Sequence, residues 1–307
     1  MPDRAWPDLR HPSWGETRHS LHMRFQAVGK VKLAASPFLN QWWEVALYLT
    51  ARGLTTGIIP WDDRSFELTF DLREDRLRLD VSDGPSTTIP LGEGSVADFY
   101  LAIGELLADA AIVVSTTAMP SEVPDPGPFT DQTEVGAYDV DAVAAWWTAM
   151  LSVERVLQRF RTPFHGKSSP VHLVWGGFDL NHPRFNGKPH RLGAGADPML
   201  RYGENEENFS VGFWAGNGAD PSASLYAYMT PKPDGIESVT VRPDAAGWSS
   251  EMGELVLPYD ALRAEEDPDE ALLAFFNDAY EASADLARWD RAALEGDLPS
   301  PVPGYRR

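Results

Sequence analysis

The sequence has no cysteine among its 307 residues. This absence excludes disulfide bonds, thiolate zinc sites, iron–sulfur clusters and cysteine nucleophiles. The sequence also has no apolar run of the roughly 18 residues that a membrane-spanning helix needs. Its polar, proline-broken start lacks the apolar core of a signal peptide. We therefore expect a cytoplasmic protein with no membrane segment.

Basic residues are few compared with acidic ones. Lysine and arginine together number 26 against 46 aspartates and glutamates, which gives a formal net charge of −20. A body this acidic repels phosphate backbones, and no run of Lys or Arg is long enough to form a compensating patch. The charge therefore argues against nucleic acid as a partner and is otherwise typical of a well-solvated surface.

The residues that are present indicate a globular α+β protein. Hydrophobic residues make up 43% of the chain, and it contains 11 tryptophans, which is enough for a sizeable core. The stretches 65–72 and 76–82 alternate apolar and polar residues, so they predict an antiparallel hairpin with one exposed face. Further short strands are predicted at 43–50, 54–60, 86–91, 111–116, 209–214, 225–230, 236–241 and 254–257.

Three long helices are predicted from apolar periodicity and capping signals. The first begins after Ser95, which has a capping-box partner in Asp98. The second covers about 140–160, and the third begins at Pro268 with Asp267 as its N-cap. The fold class expected is therefore α+β, with mainly antiparallel sheet and three long helices. Residues 1–24 are predicted to be irregular, and the Gly-, Asn- and charge-rich region 181–208 is predicted to be a long loop.

The order of motifs predicts two tandem related halves packed as one unit. Each half has a Gly-Lys pair (29–30 and 166–167), then a strand starting with Leu-Tyr, a short Leu/Pro strand and a long amphipathic helix. Two unrelated α+β stretches with ordinary turns are the alternative. The predicted organisation is an N-terminal arm (1–24), a first α+β half (25–117), a Pro- and acid-rich connecting loop (118–138), a helix plus second α+β half (139–295) and a C-terminal tail (296–307).

The stretch 164–185 has the greatest variety of polar and aromatic side chains and is the predicted wall of a functional site. His172 and Asp179 are the candidate catalytic residues, as a base and the carboxylate that orients it. The histidines of this stretch lack the spacing of a metal motif, so no metal site is predicted. Its serines lack a nucleophile elbow, and its Gly-Lys pair lacks the rest of a Walker loop. The candidate ligand-binding residues are Lys30, Trp42, Lys167, Ser168, Trp175 and Arg184.

Several motifs together resemble one bacterial family. They are Gln-Ala-Val-Gly-Lys at 26–30, Asn-Gln-Trp-Trp at 40–43, Ser-Val-Ala-Asp-Phe-Tyr at 95–100 and, above all, the long block GKSSPVHLVWGGFDL at 166–180. By these motifs the chain resembles, over nearly its whole length, a family catalogued as a domain of unknown function, number five-nine-nine-six. That family has no established activity, so the resemblance implies which positions to test but no reaction.

We expect the protein to bind a small anionic or aromatic ligand in a pocket between the two halves. The lysines and Arg184 would supply positive charge, Trp42 and Trp175 would stack on the ligand, and His172 with Asp179 would fix its orientation. An enzyme with hydrolase-like acid–base chemistry in the same pocket is one alternative. A structural or partner-binding protein without a small-molecule site is the other. The sequence indicates neither a cofactor nor an oligomeric state.

Overall fold

The structure, a computed structural model, describes residues 5–92, 94–124, 126–218 and 222–296. Apart from residue 296, the predicted C-terminal tail lies outside these ranges. None of the helices within them combines the length and apolarity needed to cross a bilayer. The helices are α1 (Trp14–Ala35), α2 (Val96–Asp109), α3 (Val140–Arg161), α4 (Pro198–Gly203), α5 (Tyr259–Arg263), α6 (Pro268–Leu286) and α7 (Arg291–Leu294), with short 3-10 helices at Asn40–Val45, Phe129–Asp131 and Ile236–Ser238.

Two antiparallel sheets make up the β structure of the described residues, so the predicted α+β class is confirmed. The first sheet has the order β1-β2-β4-β5-β6, with β3 also paired to β4. Its strands are β1 (Tyr48–Thr50), β2 (Gly53–Thr55), β3 (Ile59–Trp61), β4 (Arg64–Asp71), β5 (Arg76–Val81) and β6 (Thr87–Pro90). The second sheet has the order β11-β12-β10-β9-β8-β7. Its strands are β7 (His172–Val174), β8 (Asp179–Pro189), β9 (Glu206–Trp214), β10 (Ser224–Thr230), β11 (Gly247–Ser249) and β12 (Glu254–Pro258).

The three helices predicted from capping and periodicity are present. The Ser95 hydroxyl accepts from the Asp98 backbone N–H while the Asp98 carboxylate accepts from the Ser95 N–H, so the capping box of α2 is complete. Asp267 caps α6 by accepting from the Glu270 N–H. Helix α3 covers the range predicted for it, and β4 and β5 pair as the predicted hairpin. Short-range signals determine these elements, which is why patterns locate them.

The predicted irregular structure of residues 1–24 is wrong from Trp14 onward, because α1 begins there. This helix is not recognisable as an amphipathic pattern, since it is enclosed on most sides and several of its polar residues are buried. Arg24, Gln26 and Lys30 are 1%, 0% and 6% exposed. A fourth long helix is therefore added to the three expected ones.

Helix α1 contacts the first sheet and the turn between β7 and β8 of the second. Its Phe25 ring stacks on Phe70 of the first sheet with the centroids 3.8 Å apart. The same ring packs edge-on against Trp146 of α3 at 5.9 Å and against Phe178, next to β8, at 5.4 Å. One aromatic side chain thus joins both sheets and a second helix into a single core.

Three further local predictions are wrong. The expected loop at 181–208 contains most of β8, all of α4 and the start of β9. Residues 236–241 begin with a 3-10 helix, and no strand forms in the described segment 111–116. Ala111 has a φ of 56°, and this left-handed residue ends the α2 region, so the chain leaves the helix without joining a sheet.

The predicted duplication is not confirmed. Gly29 and Lys30 lie inside α1, whereas Gly166 and Lys167 lie in the segment that follows α3. The two sheets also differ in strand order. The two related halves therefore remain a prediction.

The second sheet positions the site because its two faces have different neighbours. Helices α3 and α6 pack against β9 and β10 on one face. Phe209, Val211 and Leu225 belong to that face and are fully buried. The opposite face forms the floor of a cavity, and among the described residues none of the long helices contributes to the lining of that cavity.

Candidate functional site

Alternation along β8 sends its side chains in two directions. The residues with odd numbers line the cavity: Asp179, Asn181, Pro183 and Phe185. The intervening His182 and Arg184 are buried on the helix side at 0% and 1% exposure. The polar composition that suggested a loop is therefore that of a strand with one face on a polar cavity.

The cavity has a volume of about 340 Å³. Its floor consists of the outer face of β7, β8, β9, β10 and β12, and its walls come from the 3-10 helix Asn40–Val45, from α4 and from the side chains of Glu122 and Met252. This volume falls in the range of small-molecule sites in proteins, roughly 300–1,000 Å³.

Asp179, Tyr226 and Asn181 form a hydrogen-bonded group on the floor. The Tyr226 hydroxyl donates to Asp179 Oδ2 and accepts from Asn181 Nδ2 at 2.8 Å. Burial raises the pKa of Asp179 to about 6, although the hydrogen bond from Tyr226 acts in the opposite direction. Burial, together with the negative charge of Asp179, raises the pKa of Tyr226 well above its ordinary value. At neutral pH the pair is therefore a neutral phenol donating to a carboxylate.

A second tyrosine–carboxylate pair lies beside the first. The Tyr228 hydroxyl donates to Glu204 Oε1 at 2.9 Å, and the Thr230 hydroxyl donates to Glu204 Oε2 at 2.6 Å. The rings of Tyr226 and Tyr228 are stacked, with their centroids 6.0 Å apart. Glu204 belongs to the end of α4, so these bonds also fix that short helix over the sheet.

Glu122 is brought to the cavity by a strained loop. Its φ of 57° lies in the left-handed region that non-glycine residues avoid. The residue as a whole is exposed, but its carboxylate lies over Gly176, where any Cβ would overlap it. This local desolvation, together with Asp179 and Asp197, raises the pKa of Glu122 to about 7, while Lys30 acts to lower it.

Helix α1 holds this loop through Gln26. The Gln26 side chain donates to the Ser121 carbonyl at 2.7 Å and accepts from the Ser121 N–H at 2.7 Å. Lys30 adds a hydrogen bond from its ammonium group to the Ser121 hydroxyl at 2.6 Å. The residue before Glu122 is thus fixed by two buried side chains of α1.

Glu254 supplies a further carboxyl group to the cavity. Burial, followed by the charge of Asp179, raises the pKa of Glu254 to about 7. Glu122, Asp179, Glu204 and Glu254 together make the lining acidic, and no lysine or arginine belongs to the lining in the part of the chain that the structure describes. The electrostatic potential of the cavity is therefore negative.

His172 lines the same cavity as a neutral imidazole. Its Nδ1 is 2.9 Å from the Pro170 carbonyl, and because a carbonyl only accepts, this nitrogen carries the proton. Burial lowers the pKa of His172 to about 4. Nε2 is therefore an unprotonated acceptor at neutral pH.

Two residues of the cavity wall, Gln41 and Trp42, have a strained backbone conformation. Both residues have left-handed φ angles, 53° and 56°, and strain of this kind is concentrated at functional sites in proteins. Gln41 is 5% exposed and its Nε2 donates to Asn205 Oδ1 at 2.5 Å. Its Oε1 is buried without a hydrogen-bond partner, which leaves one acceptor of this residue unsatisfied.

Three of the eight candidate residues line the cavity: His172, Asp179 and Trp42. His172 lies opposite Asn181 and Val174 opposite Asp179 in the β7–β8 hairpin, so His172 and Asp179 are diagonal neighbours on one face. The partner that orients His172 is Pro170, and the partner of Asp179 is Tyr226. The predicted imidazole–carboxylate hydrogen bond is not formed among the described contacts.

The other five candidates lie outside the lining and have structural partners. Lys30 lies 5.2 Å above the Trp175 ring, and Lys167 pairs with Glu206 at 2.6 Å. The backbone of Ser168 forms an isolated antiparallel β-bridge with that of Arg184 in β8. Trp175 is buried over Gly29, where a Cβ would overlap the indole.

Arg184 lies on the helix side of the second sheet. Its guanidinium is 3.4 Å from the centroid of the Phe160 ring and 4.3 Å from that of Tyr280. It also donates to the Phe160 carbonyl. Burial lowers the pKa of Arg184 to about 9, so it stays charged at neutral pH as a core cation held between aromatic rings.

Sequence reasoning missed most of the lining. The alternation of Tyr226 and Tyr228 in a predicted strand is a signal that both point to one face. Glu122 lies in the predicted connecting loop 118–138, where no strand or helix is expected to orient it. Gln41 belongs to the Asn-Gln-Trp-Trp motif and Glu254 to a predicted strand, but both reach the cavity through tertiary packing, which neither local pattern indicates. Within the described residues, no three His, Asp or Glu side chains are grouped to hold a metal ion.

Comparison with known proteins agrees with the motif resemblance. A family of unknown function (DUF5996) matches residues 6–296. No curated protein and no solved structure matches the chain at a significant level. Because the match covers almost the entire chain, including every residue that lines the cavity, the protein belongs to this family of unknown function.

Proposed function

We propose that the protein binds a small organic cation, an ammonium or guanidinium compound, in the cavity over the second sheet. The observation that carries this proposal is the charge of the lining, which combines four carboxyl groups with no lysine or arginine among the described residues. A buried anionic site of this kind attracts positive charge and repels negative charge. The location in the cytoplasm remains the prediction from sequence.

The hydrogen-bonding groups of the lining favour a ligand rich in donors. The hydroxyl hydrogens of Tyr226, Tyr228 and Thr230 are already donated to carboxylates, and Asn181 donates to Tyr226. The remaining capacity is mainly that of acceptors, including Nε2 of the neutral His172. An ammonium group has three donors and no acceptor, so it complements such a lining.

Aromatic walls favour the same class of ligand. Trp42, Trp43 and Trp214 line the cavity, and the face of an indole ring attracts cations by about 0.5–2 kcal/mol. The aromatic part of the original expectation is therefore kept. The anionic part is replaced, because Lys30, Lys167 and Arg184 are engaged elsewhere in the structure.

Calorimetric titration with three ligands of matched shape tests the proposal. Benzylammonium, benzyl alcohol and benzoate differ mainly in charge. We expect the cation to bind about tenfold or more tightly than the alcohol, and benzoate not to bind. Asp179→Asn should weaken binding of the cation about tenfold, whereas Glu105→Gln, which removes an exposed acid outside the lining, should leave it unchanged. Equal binding of all three ligands, or preference for benzoate, overturns the proposal.

A second candidate function is acid–base catalysis in the same cavity. The observation that favours it is that Glu122, Asp179 and Glu254 have pKa values raised to about 7, 6 and 7. Carboxyl groups that titrate near neutral pH can both donate and accept protons. The test is hydrolysis of amides of small amines and of esters of small amino alcohols. A bell-shaped pH–rate profile that is lost in Asp179→Asn supports catalysis, and no turnover of any of them argues against it.

A further inference from the structure

The floor and the mouth of the cavity differ in polarity. On the floor, Tyr226, His172 and Asn208 are polar and are 5%, 5% and 1% exposed. At the mouth, Leu200 and Met252 line the same cavity and are 45% and 39% exposed. Among these residues the polar groups lie at the buried floor and the apolar side chains at the exposed mouth, although the buried Phe185 and the exposed Glu122 belong to the lining as well.

The apolar mouth continues across the neighbouring segments. Phe38 is 60% exposed, and its ring packs edge-on against Tyr202 of α4 with the centroids 5.5 Å apart. Trp42 lies 5.9 Å from the same Tyr202 ring. These contacts connect Phe38, Trp42 and Tyr202, and Leu200 and Met252 line the same mouth. We define these five residues together as the apolar rim.

We propose that the ligand is an amphiphilic amine, with its ammonium group on the acidic floor and an apolar substituent lying across the apolar rim. This inference rests on the proposed function and specifies its ligand. The acceptors of the floor fix the ammonium group at the buried end, so any substituent must extend toward the mouth. There it covers exposed apolar surface, which is favourable in proportion to the area removed from water.

Calorimetric titration with n-alkylammonium salts, from methylammonium to octylammonium, measures the affinity gained per methylene. We expect a gain of about threefold per methylene until the chain passes the rim. In the double variant Leu200→Ser, Met252→Ser the gain should fall to less than half. Val113→Ser is the matched control, because Val113 is 80% exposed and lies outside the lining, and it should keep the wild-type gain. Each gain is a ratio within one variant, so it does not depend on how strongly that variant holds the ammonium group.

The outcomes separate the two proposals. Binding of methylammonium without any gain along the series overturns the amphiphilic ligand and leaves the cation site standing. A gain that the double variant keeps, or one that n-alkyl carboxylates reproduce, also overturns it, because the apolar contact then lies elsewhere. Failure of every amine to bind overturns the proposed function itself.

Discussion

Tyr226 on β10 reaches Asp179 on β8 across the whole width of β9. Gly212 makes this possible, because it is the cross-strand partner of both Tyr226 and Asn181 and has no side chain between them. A Cβ at Gly212 would overlap the Tyr226 hydroxyl and the Leu180 carbonyl oxygen. The hydrogen bond that sets the chemistry of the floor therefore depends on one glycine in the middle of a strand.

Gly212→Ala should test this dependence directly. The added methyl group meets backbone as well as the tyrosine, so the strand must move. We expect the free energy of unfolding to fall by about 1–3 kcal/mol, measured by urea denaturation. Gly247→Ala is the control in the same sheet, since a Cβ there meets nothing within 4 Å, and it should change stability by no more than about 0.5 kcal/mol. Equal effects of the two substitutions would contradict the role of Gly212.

Tyr226→Phe should raise the pKa of Asp179 above about 6. In the wild type the phenol donates to the carboxylate and thereby favours its charged form. Burial, which opposes that form, is unchanged in the variant. Carbon-13 NMR of the labelled carboxyl group follows the titration. Tyr228→Phe is the matched control, because that hydroxyl donates to Glu204 and its loss should leave Asp179 almost unaffected. An unchanged titration in Tyr226→Phe would show that burial alone determines this pKa.

The elements differ in how well the sequence predicts them, and the reason is physical. Ser95 and Asp267 cap α2 and α6 through neighbours three residues away, so a window of sequence contains the whole signal. Helix α1 escapes prediction because its Lys30 and Arg24 are buried by elements far away in the chain. Similarly, β8 is held by pairing with β7 and β9, and its polar residues face a cavity that exists only in the folded protein.

The site follows the same division. Asp179 and His172 stand in a conspicuous motif, and both line the cavity. The lysines of the two Gly-Lys pairs stand in equally conspicuous positions, yet they form structural contacts outside it. A sequence motif therefore shows where particular side chains are required. Which of them face a ligand depends on the direction in which the fold points each side chain. For that reason a motif alone does not indicate the sign of the charge that a ligand would carry.

Gln26→Ala should disturb both stability and the position of Glu122. Gln26 is fully buried and its two hydrogen bonds to the Ser121 backbone disappear in the variant, which leaves the part-buried N–H and carbonyl of Ser121 without these partners. We expect a loss of about 2–4 kcal/mol in urea denaturation and weaker binding of benzylammonium. Gln158→Ala, on the exposed face of α3, is the control and should cost less than about 0.5 kcal/mol. Stability close to that of the wild type in Gln26→Ala would contradict the role of Gln26 in holding the Ser121 backbone.

Asp179→Asn should make the protein more stable at neutral pH while weakening ligand binding. Burial raises the pKa of Asp179 from 3.8 to about 6 in the folded protein, so between these values the folded state binds the proton more strongly than the unfolded state. The contribution of Asp179 to the stability of the wild type is therefore greatest below about pH 4 and is lost as the pH rises through 6. Because Asn carries no charge, the variant avoids this cost, and we expect a gain of roughly 1–2 kcal/mol at pH 7.5 after allowance for partial solvent access.

At pH 4 the difference should vanish. Urea denaturation at both pH values measures it, with the exposed Asp63→Asn as the control that should show no such dependence. A variant less stable than the wild type at pH 7.5 would mean that the carboxylate stabilises the fold, and the acidic floor would then be a structural feature instead of one maintained at a cost for binding.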